Sequence, residues 1–331
     1  MRHAPALCLV LSICFALFLS GCSNPQQVTL LHEFPTMTVI AKAEPAPNAA
    51  DPRDSSDEFL KRFDAYRQTD KAPAPAELGG YHILVVHGLL GEVGIRFTRL
   101  FDRINPSQHT IDYLKDQQIV LRDAGVSGEV LDYKSESVER CGAEVARRIM
   151  ASDKPVLLIT HSKGCLDTLE ALLTVQREGK LDKVAGWIAI QGPFRGAPEA
   201  DEIDGDQFRR IGTKIALNCL GARYVAVNDM MTSTRQRYLD AHREELERLT
   251  ASVPVLCFAS WKADSKPPGT DGSVPVESAI LSGTDFIAVR GLSHSATVIG
   301  AHGEFDRVAF TRALLSMMVE RIQQREEVGV R

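Results

Sequence analysis

Three residues have the types that nucleophilic catalysis requires: Ser162 in LLITHSKGCLDTL, Asp271 in PGTDGSVPVESA and His294 in VRGLSHSATV. A serine hydroxyl is a weak nucleophile until a base accepts its proton. An imidazole base in turn needs a carboxylate to hold its tautomer and balance its positive charge. Set together, the three would transfer an acyl group through a covalent serine intermediate. Each has rivals: Asp264, Asp285 and Glu277 for the acid, and His302 for the base. His161, next to the serine, is expected to point away from the turn as a packed neighbour. A serine two residues before a glycine can also be only a helix cap. No Cys/His spacing suggests a metal site, and the chemistry of a serine, a base and an acid calls for no cofactor.

The position of Ser162 depends on the elements around it. Short runs rich in Val, Ile and Leu at 81–88, 128–133, 154–162, 183–192, 253–261 and 284–291 read as strands buried on both faces. Residues 137–152, 165–179 and 306–325 read as helices. This alternation predicts a mostly parallel sheet flanked by helices. Ser162 then ends the third strand, where a sharp strand-to-helix turn lifts its hydroxyl into the crevice at the sheet's C-terminal edge. The following helix aims its first amides at the place where an oxyanion would form. Gly164 lets the turn close without a side-chain clash, and Leu166, Leu169 and Leu173 line one face of the helix. Asp271 falls after the fifth strand and His294 after the sixth. Residues 197–250 contain no strand and read as a helical lid or cap.

The stretch Thr160-His161-Ser162-Lys163-Gly164 resembles the nucleophile elbow of α/β-hydrolases, G-x-S-x-G, with Thr160 in place of the first glycine. QGPFRGAPEAD (191–201) resembles a stretch that leads into the lid of bacterial triacylglycerol lipases, and its own role is expected to be structural. The Asp-Gly-x-Val run at Asp271 is similar to the acid loop of those lipases, and the order Ser162, Asp271, His294 is the hydrolase order. The resemblance covers roughly residues 80–325 and implies an α/β-hydrolase fold with a helical lid. It also implies an oxyanion hole made by the amides of Leu89, after the His87-Gly88 pair, and Lys163, after the nucleophile. The Lys163 ammonium is expected to face solvent or the lid. The activity implied is hydrolysis of carboxylic esters, of a lipid or another small molecule. Alternatives on the same triad are an acyltransferase and a polyester depolymerase; an inactive, hydrolase-like envelope binding protein is the non-enzymatic one.

The N-terminus has a short basic start and then about 17 apolar residues, short for a membrane helix. It ends in LSGC, which resembles the lipobox of bacterial lipoproteins. This implies a signal peptide over 1–21, lipid attachment at Cys22 and, with Ser23 next, an outer-membrane anchor facing the periplasm. Residues 22–78 read as a tether rich in Ala, Pro and charge, with a possible short helix at 57–68, and 79–331 as the hydrolase domain. Lys and Arg number 38 against 43 Asp and Glu, with no basic block, so nucleic acid is not expected as a partner. Of seven cysteines, Cys141, Cys165, Cys219 and Cys257 remain in the mature part and could form up to two bridges, though Cys165 and Cys257, in apolar elements, read equally well as buried free thiols.

Overall fold

A computed structural model describes residues 53–69, 75–95, 112–262, 265, 268–300 and 305–327. The expected signal peptide, Cys22, most of the tether, Asp264 and His302 lie outside the described residues.

Six parallel strands form the central sheet: β1 (His82–Val86), β2 (Gly128–Val130), β3 (Val156–His161), β4 (Val184–Ile190), β5 (Val255–Trp261) and β6 (Asp285–Arg290). Their spatial order is β2-β1-β3-β4-β5-β6. Each falls inside an expected strand. The residues alternate between two cores, as a sheet covered on both faces requires. Leu84, Val86 and Leu158 join one core, whereas Ile83, Val85, Leu157 and Ile159 join the other.

Helices α3 (Val138–Ala151) and α4 (Lys163–Arg177) cover the first core. The second lies under α1 (Ser56–Gln68), α2 (Lys115–Asp123) and α10 (Arg307–Glu327). Helix α1 changes the expected boundary of the folded unit. Phe59 and Phe63 are buried, with Phe59 edge-on to Phe258 and Phe310. The Ser55 N–H donates to the Phe286 carbonyl, and buried Arg321 of α10 pairs with Glu58 and Asp285. The packed unit therefore reaches back to Arg53, ahead of the boundary expected at residue 79. The Pro-rich stretch around residue 75 suggested a linker, but the aromatic face of α1 has a core to bury against.

Between β4 and β5 come five helices: α5 (Pro198–Gly205), α6 (Gln207–Leu220), α7 (Val225–Asn228), α8 (Thr232–Ala241) and α9 (Arg243–Ser252). The QGPFRGAPEAD stretch anchors this insertion to the sheet. Phe194 packs edge-on against Trp187, Ser278 Oγ donates to the Gly196 carbonyl, and the Ala197 N–H donates to the Met230 carbonyl. Gly196 has φ +99°, and a Cβ there would lie 2.5 Å from the Thr232 backbone. Cys141, Cys165 and Cys257 are buried free thiols, and Cys219 is an exposed one.

Candidate active site

Ser162 occupies a backbone conformation of φ 56°, ψ −129°, between β3 and α4. Such a conformation costs a non-glycine residue about 1–3 kcal/mol and persists only where the surroundings impose it. Here they do. A Cβ on Gly164 would lie 2.4 Å from the His87 carbonyl oxygen and 2.7 Å from that of Val86, so the start of α4 sits directly on the end of β1. Thr160, in place of the elbow's first glycine, is buried and has three contacts that a glycine could not make. Its hydroxyl accepts from Trp187 Nε1 at 2.8 Å and faces Cys165 Sγ at 3.1 Å and the Ile188 carbonyl at 3.4 Å.

Asp271 and His294 meet the serine from the loops after β5 and β6. His294 Nε2 is 2.8 Å from Ser162 Oγ, and His294 Nδ1 is 2.8 Å from Asp271 Oδ2. An ionised carboxylate only accepts, so Nδ1 carries the ring proton and Nε2 is left to accept from the serine hydroxyl. The other Asp271 oxygen accepts the Ser273 and Val274 amides at 2.9 and 2.7 Å. Asp271 is buried. Burial alone would lower the His294 pKa, but the Asp271 carboxylate outweighs it and the net shift is upward. Among the expected rivals, Asp285 is at the start of β6, the opposite end from the site, and pairs with Arg321 of α10, and Glu277 lies in a short 3₁₀ turn at Val276–Ser278.

His161 is a packed neighbour, as expected, and has a further contact that sequence did not suggest. Its Nε2–H donates to the His294 carbonyl at 2.9 Å, and the two rings lie 4.8 Å apart. Burial first, and then the neighbouring His294, holds its pKa down to about 3, so it stays neutral. Gln191, with φ 52°, heads the QGPFRGAPEAD stretch expected to be structural, but its particular contact was not foreseen. Its amide donates to Ser260 Oγ at 2.7 Å and accepts from Thr297 Oγ1 at 2.8 Å, bracing the loop that holds His294. Its sequence signal was its place at the head of QGPFRGAPEAD, which pointed to a structural part but not to the loop it braces.

Of the two expected oxyanion donors, Lys163 directly follows the serine and Leu89 follows Gly88. Gly88 lies against the serine closely enough that a Cβ would be 2.9 Å from Ser162 Cβ. The Leu89 amide, next along, has no acceptor among the described residues. Lys163 is the first residue of α4, where a helix leaves its amides unpaired. Its side chain corrects the expectation. The ammonium is buried, not facing solvent or the lid, and pairs with Asp167 at 2.6 Å. Burial works against its charge, but Asp167 outweighs this and the Lys163 pKa is raised. The partner lies one helical turn on, a pairing the i,i+4 spacing allows; what the sequence does not show is that the pair faces inward.

Such a constellation suits a nucleophile, a base held in one tautomer and two amides for a developing oxyanion. Among the described residues no group of His, Cys, Asp and Glu is arranged to hold a metal ion.

Comparison with known proteins agrees with this architecture. The chain aligns with the crystal structure of the metagenomic carboxyl esterase MGS0156 at a TM-score of 0.62 and 16% identity, over 93% of this chain and 99% of that one. It aligns with the Bacillus licheniformis lipase BlEst2 in mature form at a TM-score of 0.51 and 17% identity, over 76% of this chain and 94% of that one. The chain has the α/β-hydrolase fold. Residues 143–209, from α3 through the serine turn to the start of α6, match the family model of lecithin:cholesterol acyltransferase. No curated protein matches the chain in sequence.

Proposed function

We propose that the chain is a serine hydrolase of carboxylic esters working through an acyl-enzyme. The observation that carries this reading is the unbroken relay from Ser162 Oγ through His294 to Asp271, with both links at 2.8 Å. Ser162 Oγ attacks the ester carbonyl carbon while His294 Nε2 takes its proton. The Leu89 and Lys163 amides hold the tetrahedral oxyanion, each donor being worth about 3 kcal/mol in comparable sites. His294 then protonates the leaving alkoxide, and the acyl group stays on Ser162. A water molecule attacks this ester as His294 takes its proton, and Ser162 is regenerated with release of the acid. The reaction as written needs no cofactor.

A lipid acyl ester is the substrate class we favour. Helix α6 of the insertion exposes Phe208, Ile211 and Ile215 (88%, 48% and 55% exposed), residues spaced to lie on one helix face. Burial of such a face in a lipid surface would hold the enzyme on its substrate. Attachment of lipid at Cys22, after removal of residues 1–21, would keep it at the outer membrane; Cys22→Ala should then release it into the soluble fraction. The match of residues 143–209 to a family named for acyl transfer favours a second reading, in which an alcohol replaces water in the last step.

Turnover of p-nitrophenyl esters from acetate to palmitate by the full chain, with and without a long-chain alcohol, tests these readings. Release of nitrophenol with an optimum at long chains supports a lipid ester, and recovery of the acyl group as a new ester supports transfer. No turnover at any length would count against both. Serine at Phe208, Ile211 and Ile215 should slow hydrolysis of vesicle-borne ester while sparing a short soluble one.

A further inference from the structure

We propose that His87 is a positioning residue for the oxyanion site: its imidazole sets the direction of the Leu89 amide. The inference rests on the reading of Leu89 as an oxyanion donor. His87 Nδ1 lies 2.8 Å from the carbonyl oxygen of Gly88, and because a carbonyl only accepts, Nδ1 carries the proton. The Gly91 N–H donates to the same oxygen at 3.0 Å. In a trans peptide the C=O and N–H project from opposite edges of one plane. Two donors on the Gly88 oxygen therefore fix that plane, and with it the line along which the Leu89 N–H points.

The neighbouring amides are already used. Gly88 N–H donates to Tyr113 Oη at 3.0 Å, Leu90 N–H to Ser135 Oγ at 2.9 Å, and Gly91 N–H to Gly88. Among the described residues, Leu89 alone of these four has an amide with no acceptor. Leu90 adopts φ 60°, so the loop is held in a conformation that leucine rarely takes.

The ring that does this is itself held. His87 is 1% exposed and stacks on Tyr133 with centroids 4.5 Å apart and planes 19° from parallel. The Tyr133 hydroxyl donates to Asp167 at 2.8 Å, and Asp167 also accepts from Lys163 Nζ at 2.6 Å. One buried cluster thus braces both residues whose amides face the oxyanion: Leu89 through His87, and Lys163 through its own side chain. A Cβ on Gly91 would lie 2.5 Å from His87 Cβ and Cγ, so glycine is needed for the ring to sit there. His87 Nε2 has no partner among the described residues, which leaves Nδ1 as the nitrogen that acts.

The test compares three substitutions in the full chain. His87→Phe keeps a ring to stack on Tyr133 but removes the donor. His87→Asn keeps a donor near the place of Nδ1, and His87→Gln moves it outward. With p-nitrophenyl butyrate, His87→Phe should lower kcat by about tenfold to a hundredfold with KM changed less than about twofold, the mark of an interaction made in the transition state. His87→Asn should restore most of that loss. Equal kcat in His87→Phe and wild type overturns the proposal, and so does an equal fall in His87→Phe and His87→Asn, which would make the ring mere packing. If His87→Phe does not fold, the other two decide: Asn near wild type with Gln low supports the proposal, and equality overturns it. Turnover that is lost in Ser162→Ala but unchanged in His87→Phe removes the His87 role alone. Turnover that survives in Ser162→Ala overturns the hydrolase reading, and this inference with it.

Discussion

Asp271 and His294 are joined twice. The His294 backbone N–H donates to the Asp271 carbonyl at 2.9 Å, and the side chains meet at 2.8 Å between Nδ1 and Oδ2. The loops after β5 and β6 are thereby locked to each other before any substrate arrives. His161 adds a third tie, from the strand that carries the serine to the His294 carbonyl. The geometry of the base does not depend on one hydrogen bond, but its tautomer does.

This makes Asp271→Asn an informative change. The two backbone amides on Asp271 Oδ1 would select the asparagine carbonyl for that side, leaving the NH₂ to face His294 Nδ1. Nδ1 must then accept, the proton moves to Nε2, and the ring can no longer take one from Ser162. We expect kcat to fall by about 10⁴, the loss seen when the acid of a serine-protease triad is replaced in this way. KM and the melting temperature should change little. Steady-state kinetics of the purified variant would check this.

The pH profile follows from the same pair. The base works only when neutral, and Asp271 raises the His294 pKa above the ordinary imidazole value of 6.5. The acidic limb of kcat/KM should therefore have its midpoint above pH 6.5, with activity present on the alkaline side and lost as pH falls. His161 contributes no limb in this range, because it is already neutral down to about pH 3. A midpoint below 6.5 would mean that the carboxylate does not hold the imidazolium.

Lys163 predicts a stability effect distinct from catalysis. Lys163→Met leaves Asp167 buried with only the Tyr133 hydroxyl as partner, and removing one member of a buried pair costs about 3–5 kcal/mol. The double change Lys163→Met with Asp167→Leu removes both charges and should recover much of that loss. Urea unfolding of the three proteins would measure it.

Much of the fold can be read in the sequence because its signals are local. Six strands buried on both faces announce themselves as short apolar runs, and the helical patterns at α3, α4 and α10 match their observed spans to within a few residues. The residues that meet at Ser162 were also legible, since a serine, an aspartate and a histidine each followed a strand. What stayed hidden depends on long-range contact. Helix α1 looks like part of a tether until Phe59 is seen between Phe258 and Phe310. Lys163 and Asp167 are spaced to pair on one helix, but that the pair lies inside the fold shows only once Tyr133 and the sheet cover it. His87, His161 and Gln191 are polar residues whose roles lie entirely in which carbonyl or hydroxyl they reach.

The central claim is that Ser162 is the nucleophile, activated by His294. The most direct test is to treat the full chain with a fluorophosphonate and locate the adduct by peptide mass mapping. The account predicts one adduct, on Ser162, absent in Ser162→Ala and strongly slowed in His294→Ala. An unlabelled Ser162, or ester turnover that persists without it, would contradict the account.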